Sequence, residues 1–264
     1  MNSTSSVSAD EISKFGDMSA HWWDYKQNPL ITMNPARVSY MLQVLKDHQG
    51  IASTYPLKGK RILDVGCGGG VLSESLARLG GVVVGVDPSE VIASEADHHA
   101  NRTLDLSTRQ RLTYMGGISV EEMDSKATDP FDVICILEVL EHTRDPARII
   151  EAASSLLRPP SEDHMGGVLF VSTINRTLKS YAIAILGAEY IKQAVPIGTH
   201  DWNMFYSPQE IGSIMRKAGL VEVDKCGMVI SNPLETGICN APMEWSFDKS
   251  DMDVNWIAAY MYKK

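Results

Sequence analysis

Short apolar runs alternate with segments of helical pattern from Lys60 onward, and this alternation limits the possible folds more than any other feature. The first two runs, at residues 61–65 and 82–87, each precede a segment with apolar residues at helical spacing. Strands joined through helices pair in parallel by right-handed crossovers, so helices cover both faces of the sheet. We therefore predict a doubly wound α/β fold with a mostly parallel, seven-stranded sheet.

The remaining predicted elements follow the same pattern. Further strands are predicted at residues 112–115, 131–136, 168–173, 220–230 and 255–262, and helices at 71–79, 90–101, 147–157 and 208–218. Residues 1–57 precede the alternation and include a predicted helical stretch at 10–23. We expect an N-terminal helical extension over 1–57, and one α/β domain over 58–264 with an insertion at 174–207.

Charge and cysteine content exclude several classes of protein. The net charge is -9, and an acidic surface repels phosphate backbones, so nucleic acid is not an expected partner. The four cysteines form no CxxC pair, so neither a disulfide framework nor a zinc site is predicted. No apolar stretch reaches the roughly 20 residues of a spanning helix. The first residues resemble neither a secretory signal nor a mitochondrial presequence.

A glycine-rich loop at residues 64–70, DVGCGGG, joins the first predicted strand to its helix. Glycines there let the backbone pass close to a ligand and present N–H groups at a helix start. Asp87 ends the next strand, where a carboxylate accepts hydrogen bonds from both ribose hydroxyls of a nucleoside. The alternative is a tight turn with Asp87 capping the next helix. NAD binding is disfavoured, because GxGxxG requires a small residue where Val71 stands.

The loop instead matches DxGxGxG, which resembles the first motif of class I S-adenosylmethionine-dependent methyltransferases, a Rossmann-like fold. That resemblance implies a cofactor across the carboxyl ends of the first, second and fourth strands. Gly66 and Gly68 would face its methionine part, with Asp64 near the ammonium group. Leu137, just past the fourth strand, would line the adenine or the methyl-transfer axis.

An acidic cluster with a histidine follows the fourth strand. Glu138, Glu141 and His142 are spaced i, i+3 and i+4, and they share one face if the segment turns helically. Two carboxylates and an imidazole suit a divalent ion that is bound largely by oxygen. A second interpretation makes His142 the general base, oriented by the glutamates. A third is that the segment only supports loop packing.

Segments spread over most of the chain resemble the ubiquinone biosynthesis O-methyltransferases. The more specific ones are WWD at Trp22, STxNR at Ser172, GAEYI at Gly187 and GTHDW at Gly198. The resemblance implies S-adenosylmethionine-dependent methylation of a polyprenyl catechol. It implies cofactor contacts at Arg37, Gly66, Asp87 and Leu137 and, in the eukaryotic branch, magnesium ligands at Glu138, Glu141 and His142. The chain departs from the family where Ile31 replaces a histidine after the PL pair, and where the spacer at 25–28 is shortened.

Methylation of a phenolic oxygen requires a base or a Lewis acid, because a phenol has a pKa of about 10. A magnesium ion at the acidic cluster would bind both catechol oxygens. His200, in the GTHDW loop, is the second candidate base, and the alternative is a hydrogen bond within that loop. Arg37 is either a surface ion pair or, with an Asn34-Pro35 turn and the tryptophan pair, part of an N-terminal lid over the cofactor.

The implied polyprenyl substrate resides in lipid, so we expect peripheral membrane contact through the insertion. Residues 178–196 include the apolar Tyr181, Ile183, Ile185 and Leu186, flanked by Lys179 and Lys192, and are too short to span a bilayer. The alternative is an ordinary buried helix. If the source is a eukaryote, we expect the enzyme on the matrix face of the mitochondrial inner membrane. Otherwise we expect it to be cytoplasmic and associated with a membrane. Other ubiquinone-biosynthesis proteins are candidate partners.

Two other functions compete with catechol O-methylation. One is carbon or nitrogen methylation of another small molecule on the same fold, against which the STxNR and GTHDW segments argue. The other is a cofactor-binding subunit that mainly scaffolds a quinone-synthesis assembly.

Overall fold

The computed structural model describes residues 6–8, 11–13, 16, 22–25, 28–51, 54–123, 128–183, 201–232 and 243–263. These residues form one sheet flanked by helices. The strands are β1 (Arg61–Val65), β2 (Val82–Asp87), β3 (Leu112–Gly116), β4 (Val133–Leu137), β5 (Val168–Ile174), β6 (Leu220–Ile230), β7 (Trp245–Asp248) and β8 (Asn255–Tyr262). The helices are α1 (Pro29–Gln49), α2 (Val71–Arg78), α3 (Glu90–Thr103), α4 (Leu106–Arg109), α5 (Pro146–Leu156), α6 (Leu178–Ser180) and α7 (Pro208–Lys217).

The sheet is doubly wound around its central strand. Its order is β3-β2-β1-β4-β5-β8-β6-β7, and β1 to β5 pair in parallel. β8 lies antiparallel between β5 and β6, and β7 pairs antiparallel with β6. The chain runs outward in both directions from β1, so the carboxyl ends of β1 and β4 border a crevice at the switch point. This confirms the predicted fold class and places the candidate site at that edge.

The predicted strand number was too low, because the described residues form eight strands. The missed strand, β7, has only four residues, lies at an edge and is half-buried, so it lacks an apolar run in the sequence. The fourth strand was also predicted two residues too early. Phe131 makes an isolated bridge to Leu157, and β4 begins at Val133.

Both faces of the sheet pack against helices, which explains why its central strands are apolar throughout. In β4 all five residues are buried. Val133 and Cys135 lie in the core cluster shared with α1 and α2, whereas Ile134 and Ile136 lie in the cluster shared with α5 and α7. Side chains that alternate between two buried faces leave no polar period in the sequence.

Helix α1 corrects the N-terminal prediction, because it runs through the supposed Asn34-Pro35 turn. Asn28 caps its start by accepting a hydrogen bond from Leu30 N, and Gly50 ends it in the left-handed conformation. Pro35 lies inside the helix, where it removes one backbone donor. The buried Asn34 amide donates to Val71 O at 3.2 Å and holds α1 against α2. A proline was therefore a misleading sign of a turn.

Other sequence predictions lie partly outside the described residues. Within the predicted helix at 10–23, residues 11–13 and 16 are helical, whereas Trp22 and Trp23 lie in a turn. The insertion is described only at 174–183 and 201–207, so His200, Ile185, Leu186 and Lys192 lie outside the described residues. In the described part of the chain, every helix is too short or too polar to cross a membrane.

Replacing Trp256 with alanine should test the β8 side of the core. The side chain is fully buried, and its indole Nε1 donates to Tyr206 O at 3.0 Å. Loss of the ring and of this hydrogen bond should lower the free energy of unfolding by about 3–5 kcal/mol in urea titration. Leu106→Ala, at a side chain 74% exposed, should change it by less than about 0.5 kcal/mol. Equal effects of the two substitutions would contradict this packing.

Candidate active site

The glycine loop requires glycine for both conformational and steric reasons. Gly66, Gly68 and Gly70 have φ angles of 67°, 52° and 87°, in the left-handed region that favours glycine. A Cβ atom at Gly66 would lie 2.6 Å from Val139 Cγ2. The loop thus turns sharply from β1 into α2 while lying close to the segment that follows β4.

Asp87 connects the glycine loop to the start of α3. Its Oδ2 accepts a hydrogen bond from Gly68 N at 3.0 Å, and its Oδ1 accepts one from Ser89 N at 2.8 Å. Burial raises the pKa of this carboxyl group, and the two backbone donors oppose the shift. The N-cap of α3 is Ser89, not Asp87, because the Ser89 side chain accepts the hydrogen bond from Ile92 N.

Asp64 and Arg37 are both buried, and only 3% of the surface of each residue is exposed. Ser73 Oγ donates to Asp64 Oδ2 at 2.5 Å. Burial raises the pKa of Asp64 to about 6, although the Ser73 hydrogen bond and the Arg37 charge oppose the shift. The surface ion pair considered for Arg37 is therefore wrong, since α1 places its guanidinium inside the protein.

The stretch after β4 does not form the predicted helical turn. Glu138 has a φ of 57°, and it is the only non-glycine residue with a positive φ in the described part of the chain. Leu140–His142 then forms a short 3₁₀ helix. The assumption that placed Glu138, Glu141 and His142 on one helical face is therefore wrong. A left-handed Glu138 costs roughly 1–2 kcal/mol, which is typical of strain kept at functional sites.

The three side chains of that stretch bind different partners. Ser172 Oγ donates to Glu138 Oε1 at 2.5 Å, and Thr173 Oγ1 donates to Glu141 Oε2 at 2.6 Å. His142 Nδ1 lies 3.0 Å from Glu11 Oε2. Among the described residues, no three His, Cys, Asp or Glu side chains are arranged to hold a metal ion. The predicted magnesium ligands thus lie near one another but do not form a metal site in this arrangement.

Arg37 is the common neighbour of the acidic residues. Burial lowers the pKa of its guanidinium, while the charges of Glu138, Asp64 and Glu141 raise it. Burial and Glu141 raise the pKa of Glu138, and Arg37 opposes that shift. The carboxyl edge of β1 and β4 therefore gathers acidic side chains around one buried cation. Leu137, the last residue of β4, borders the same place and is nearly buried.

Several residues of this site carried no predicted role. Glu11 comes from the N-terminal extension, 131 positions before its partner His142. Ser172 and Thr173 begin the STxNR segment, to which the family resemblance gave no role, and they hold Glu138 and Glu141. The sequence feature that could have indicated this role is their position at the end of a predicted strand, because hydroxyl groups there lie at the same edge of the sheet as the glutamates.

The substitution Asp64→Asn should change the pH dependence of stability. Because the folded-state pKa of Asp64 is raised to about 6, the folded protein keeps a proton that the unfolded chain releases near pH 4. Asp64 therefore costs stability progressively as pH rises through this window, and the cost is complete at pH 7. Asparagine carries no charge and avoids this cost. The free energy of unfolding of the variant should therefore be about 1–3 kcal/mol higher at pH 7.5 and little changed at pH 4. Urea titrations at both pH values would contradict the argument if the variant were equally destabilised at each.

Comparison with known proteins identifies the family and the fold. A family model described as a methyltransferase domain matches residues 39–225. A ubiquinone biosynthesis O-methyltransferase of Dinoroseobacter shibae is 40% identical, over 97% of this chain and 96% of the relative. The protein of the same name from Ruegeria pomeroyi is 39% identical, over 96% and 95%.

Solved structures share the fold at low identity. An S-adenosylmethionine-dependent methyltransferase of Thermotoga maritima, described as a possible histamine N-methyltransferase, has a TM-score of 0.57 and 21% identity over 96% of this chain and 99% of its own. Magnesium protoporphyrin IX methyltransferase of Synechocystis, with bound S-adenosylhomocysteine, has a TM-score of 0.56 and 20% identity over 86% and 83%. The chain therefore belongs to the ubiquinone biosynthesis O-methyltransferase family, and its fold is that of the class I S-adenosylmethionine-dependent methyltransferases.

Proposed function

We propose that this enzyme methylates a catechol hydroxyl of a polyprenyl benzenoid, with S-adenosylmethionine as the methyl donor. The observation that carries the proposal is the carboxyl edge of β1, β2 and β4. There the glycine loop and Asp87 adjoin a buried acidic cluster and His142. A nucleoside-binding edge beside proton-accepting side chains is the arrangement that O-methylation requires.

The cofactor residues fit a nucleoside that carries an amino acid. Asp87 already binds two backbone donors, and each carboxylate oxygen has a second lone pair for a ribose hydroxyl. Asp64 is an acidic partner for the ammonium group, and Arg37 supports it from beneath. Gly66, Gly68 and Leu137 complete the proposed lining. When bound, S-adenosylmethionine supplies an electrophilic methyl group on a sulfonium.

His142 is the proposed general base. In the reaction the phenolic O–H bond breaks and its proton passes to the imidazole. The deprotonated oxygen would then accept the methyl group that bound S-adenosylmethionine would supply from its sulfonium, and the sulfur would keep the bonding electron pair. Glu11 holds His142 through Nδ1 at 3.0 Å, and a carboxylate in that position orients an imidazole and stabilises its protonated form. His200 remains the rival base proposed from the sequence.

Magnesium at Glu138, Glu141 and His142 is a separate proposal. Its support is the closeness of two carboxylates, since Glu141 raises the pKa of Glu138 and a cation would relieve that repulsion. The described arrangement does not hold a metal, so binding would require Glu138 and Glu141 to turn away from Ser172 and Thr173. No step above depends on the ion. Turnover that is lost in excess chelator and restored by Mg²⁺ would support it, and full turnover in chelator would remove it.

The decisive experiment is turnover of a short-chain prenyl catechol by the purified full chain. We expect methylation of one hydroxyl, detected by mass spectrometry. Asp87→Ala should weaken S-adenosylmethionine binding about tenfold or more, because hydrogen bonds to a charged group contribute roughly 1.5–3 kcal/mol. Calorimetric titration measures that loss directly.

Two controls give this experiment its meaning. Asp105→Ala changes an exposed acidic N-cap on α4, away from the β1–β4 edge, and should leave cofactor affinity unchanged. The second control is a substrate analogue, added in equimolar amount, in which one hydroxyl is already methylated. Its turnover reports which of the two compounds the enzyme prefers. Cofactor binding without turnover of any catechol would favour the scaffold function, and methyl transfer to carbon or nitrogen would favour the rival methyltransferases.

Membrane contact through the insertion is also a proposal. Leu178, Tyr181 and Ile183 have exposed fractions of 84%, 42% and 45%, so the described start of the insertion presents apolar side chains. Lys179 pairs instead with Asp251 at 2.5 Å, so the expected lysine contribution at this end is weakened. The relatives reported above are bacterial, so we place the enzyme at the cytoplasmic face of a membrane rather than in a mitochondrion. Other ubiquinone-biosynthesis proteins remain proposed partners.

Replacing both Leu178 and Ile183 with aspartate should reduce co-sedimentation with phosphatidylcholine vesicles more than tenfold, because each buried apolar side chain contributes roughly 1.5–3 kcal/mol. Cofactor affinity should stay unchanged. Leu106→Asp, which alters another exposed leucine, is the matched control. If the double variant folds and still sediments with vesicles, the membrane contact lies elsewhere.

The N-terminal extension is proposed to act as a lid. Its described residues contact the carboxyl edge at separate places. Ser6 donates to Glu121 at 2.7 Å, and Glu11 reaches His142. Covering this edge would exclude water from the methyl-transfer axis and strengthen electrostatic interactions there.

A further inference from the structure

The conspicuous Trp22-Trp23 pair lies on the glycine loop rather than in the core. Trp23 Nε1 donates a hydrogen bond to Gly69 O at 2.9 Å. Its ring also stacks on the His99 imidazole, with 3.6 Å between ring centroids and 8° between the planes. Trp23 is thereby attached at once to the loop and to α3.

His99 is itself held by a buried carboxylate. Its Nδ1 lies 2.7 Å from Glu74 Oε1, and Glu74 is only 3% exposed. Thr103 Oγ1 donates to the other Glu74 oxygen at 3.3 Å, and Arg78 lies 3.5 Å from it. Because Glu74 is in the first turn of α2, the imidazole is fixed to both helices that follow the nucleoside-binding strands. A rigid ring of this kind is a firm support for an indole.

Trp22 packs on the same loop to which Trp23 donates its hydrogen bond. A Cβ atom at Gly69 would lie 2.1 Å from Trp22 Cδ1, and one at Gly68 would lie 2.3 Å from Trp22 Cζ2. The indole therefore rests directly on the backbone of these two glycines. Gly68 is one of the two glycines proposed above to face the methionine part of the cofactor.

We propose that Trp23 is a positioning residue, which His99 and Glu74 support, and that it holds the Trp22 indole on the glycine loop and so gates entry of the nucleoside cofactor. This inference rests on the proposed cofactor site. A ligand cannot occupy the loop surface while the indole rests on it. Trp23 and Trp22 are adjacent, so release of one ring frees the other. Entry of the cofactor then depends on how often the Trp23 contacts break.

A gate has a kinetic signature that a simple ligand contact lacks. Weakening this gate makes the open form of the free protein more frequent, so association becomes faster and apparent affinity rises, while the dissociation rate constant changes little. Loss of a direct ligand contact raises only the dissociation rate. The two rate constants therefore distinguish gating by Trp23 from binding by Trp23.

The experiment measures binding of S-adenosylhomocysteine to the full chain by stopped-flow fluorescence. In Trp23→Ala we expect the association rate constant to rise about tenfold and the dissociation constant to fall about tenfold, while the dissociation rate constant changes by less than about threefold. His99→Gln removes the stacked ring and keeps a polar partner for Glu74, so it should show the same signature. It also decides the question if Trp23→Ala fails to fold. The double variant should match the single variants, because the two residues act in one contact.

His98→Ala is the matched control, since His98 is exposed on the same helix next to His99. Its rate constants should equal those of the wild type. Unchanged rates in Trp23→Ala and His99→Gln would overturn the gate, and so would faster dissociation alone. A wild-type protein that does not bind S-adenosylhomocysteine would instead overturn the proposed cofactor function, and the gate with it.

Discussion

The buried guanidinium of Arg37 is the interaction on which the site depends. Three carboxylates, Asp64, Glu138 and Glu141, lie near the carboxyl ends of β1 and β4 and act on Arg37, and Asp64 and Glu141 are buried. Carboxylates in such a place are costly unless a cation or hydrogen-bond donors compensate them. Arg37 supplies the cation from α1, and hydroxyl groups on α2 and β5 supply the donors. Helix α1 is therefore part of the acidic edge of the sheet rather than an appendage to it.

Several features of this edge reduce stability, and they occur together. Glu138 has a left-handed backbone, and burial raises the pKa values of Asp64 and Asp87. Each of these terms has a cost in the folded protein, and the apolar layers on both sides of β4 offset it. Strain and unfavourable burial that concentrate at one crevice are expected of a functional site, where selection keeps geometry at the expense of stability.

The sheet could be predicted well because its signals are local. Buried parallel strands appear as unbroken apolar runs, and glycine with an acidic strand end marks the switch point. Helix α1 could not be predicted by the same reasoning, because Pro35 is normally a helix breaker and only packing of Asn34 against α2 outweighs it. The helical arrangement predicted for the acidic cluster was wrong for a related reason. Its spacing indicates a helical turn, but the left-handed Glu138 is imposed by its position between β4 and the hydroxyl groups of β5.

Contacts between distant parts of the chain explain what the sequence could not disclose about the N-terminal extension. The tryptophan pair was expected at the end of a helical stretch and in a lid over the cofactor. In the structure Trp22 and Trp23 lie in a turn and contact a loop that lies more than forty positions later. A side chain chosen to fit that loop has no local period to reveal its role. The same contacts give the loop a second reason for glycine, because the Trp22 indole leaves no room for a Cβ atom at Gly68 or Gly69. The glycines of this loop thus also make room for the Trp22 indole, and a side chain at Gly68 or Gly69 would displace it.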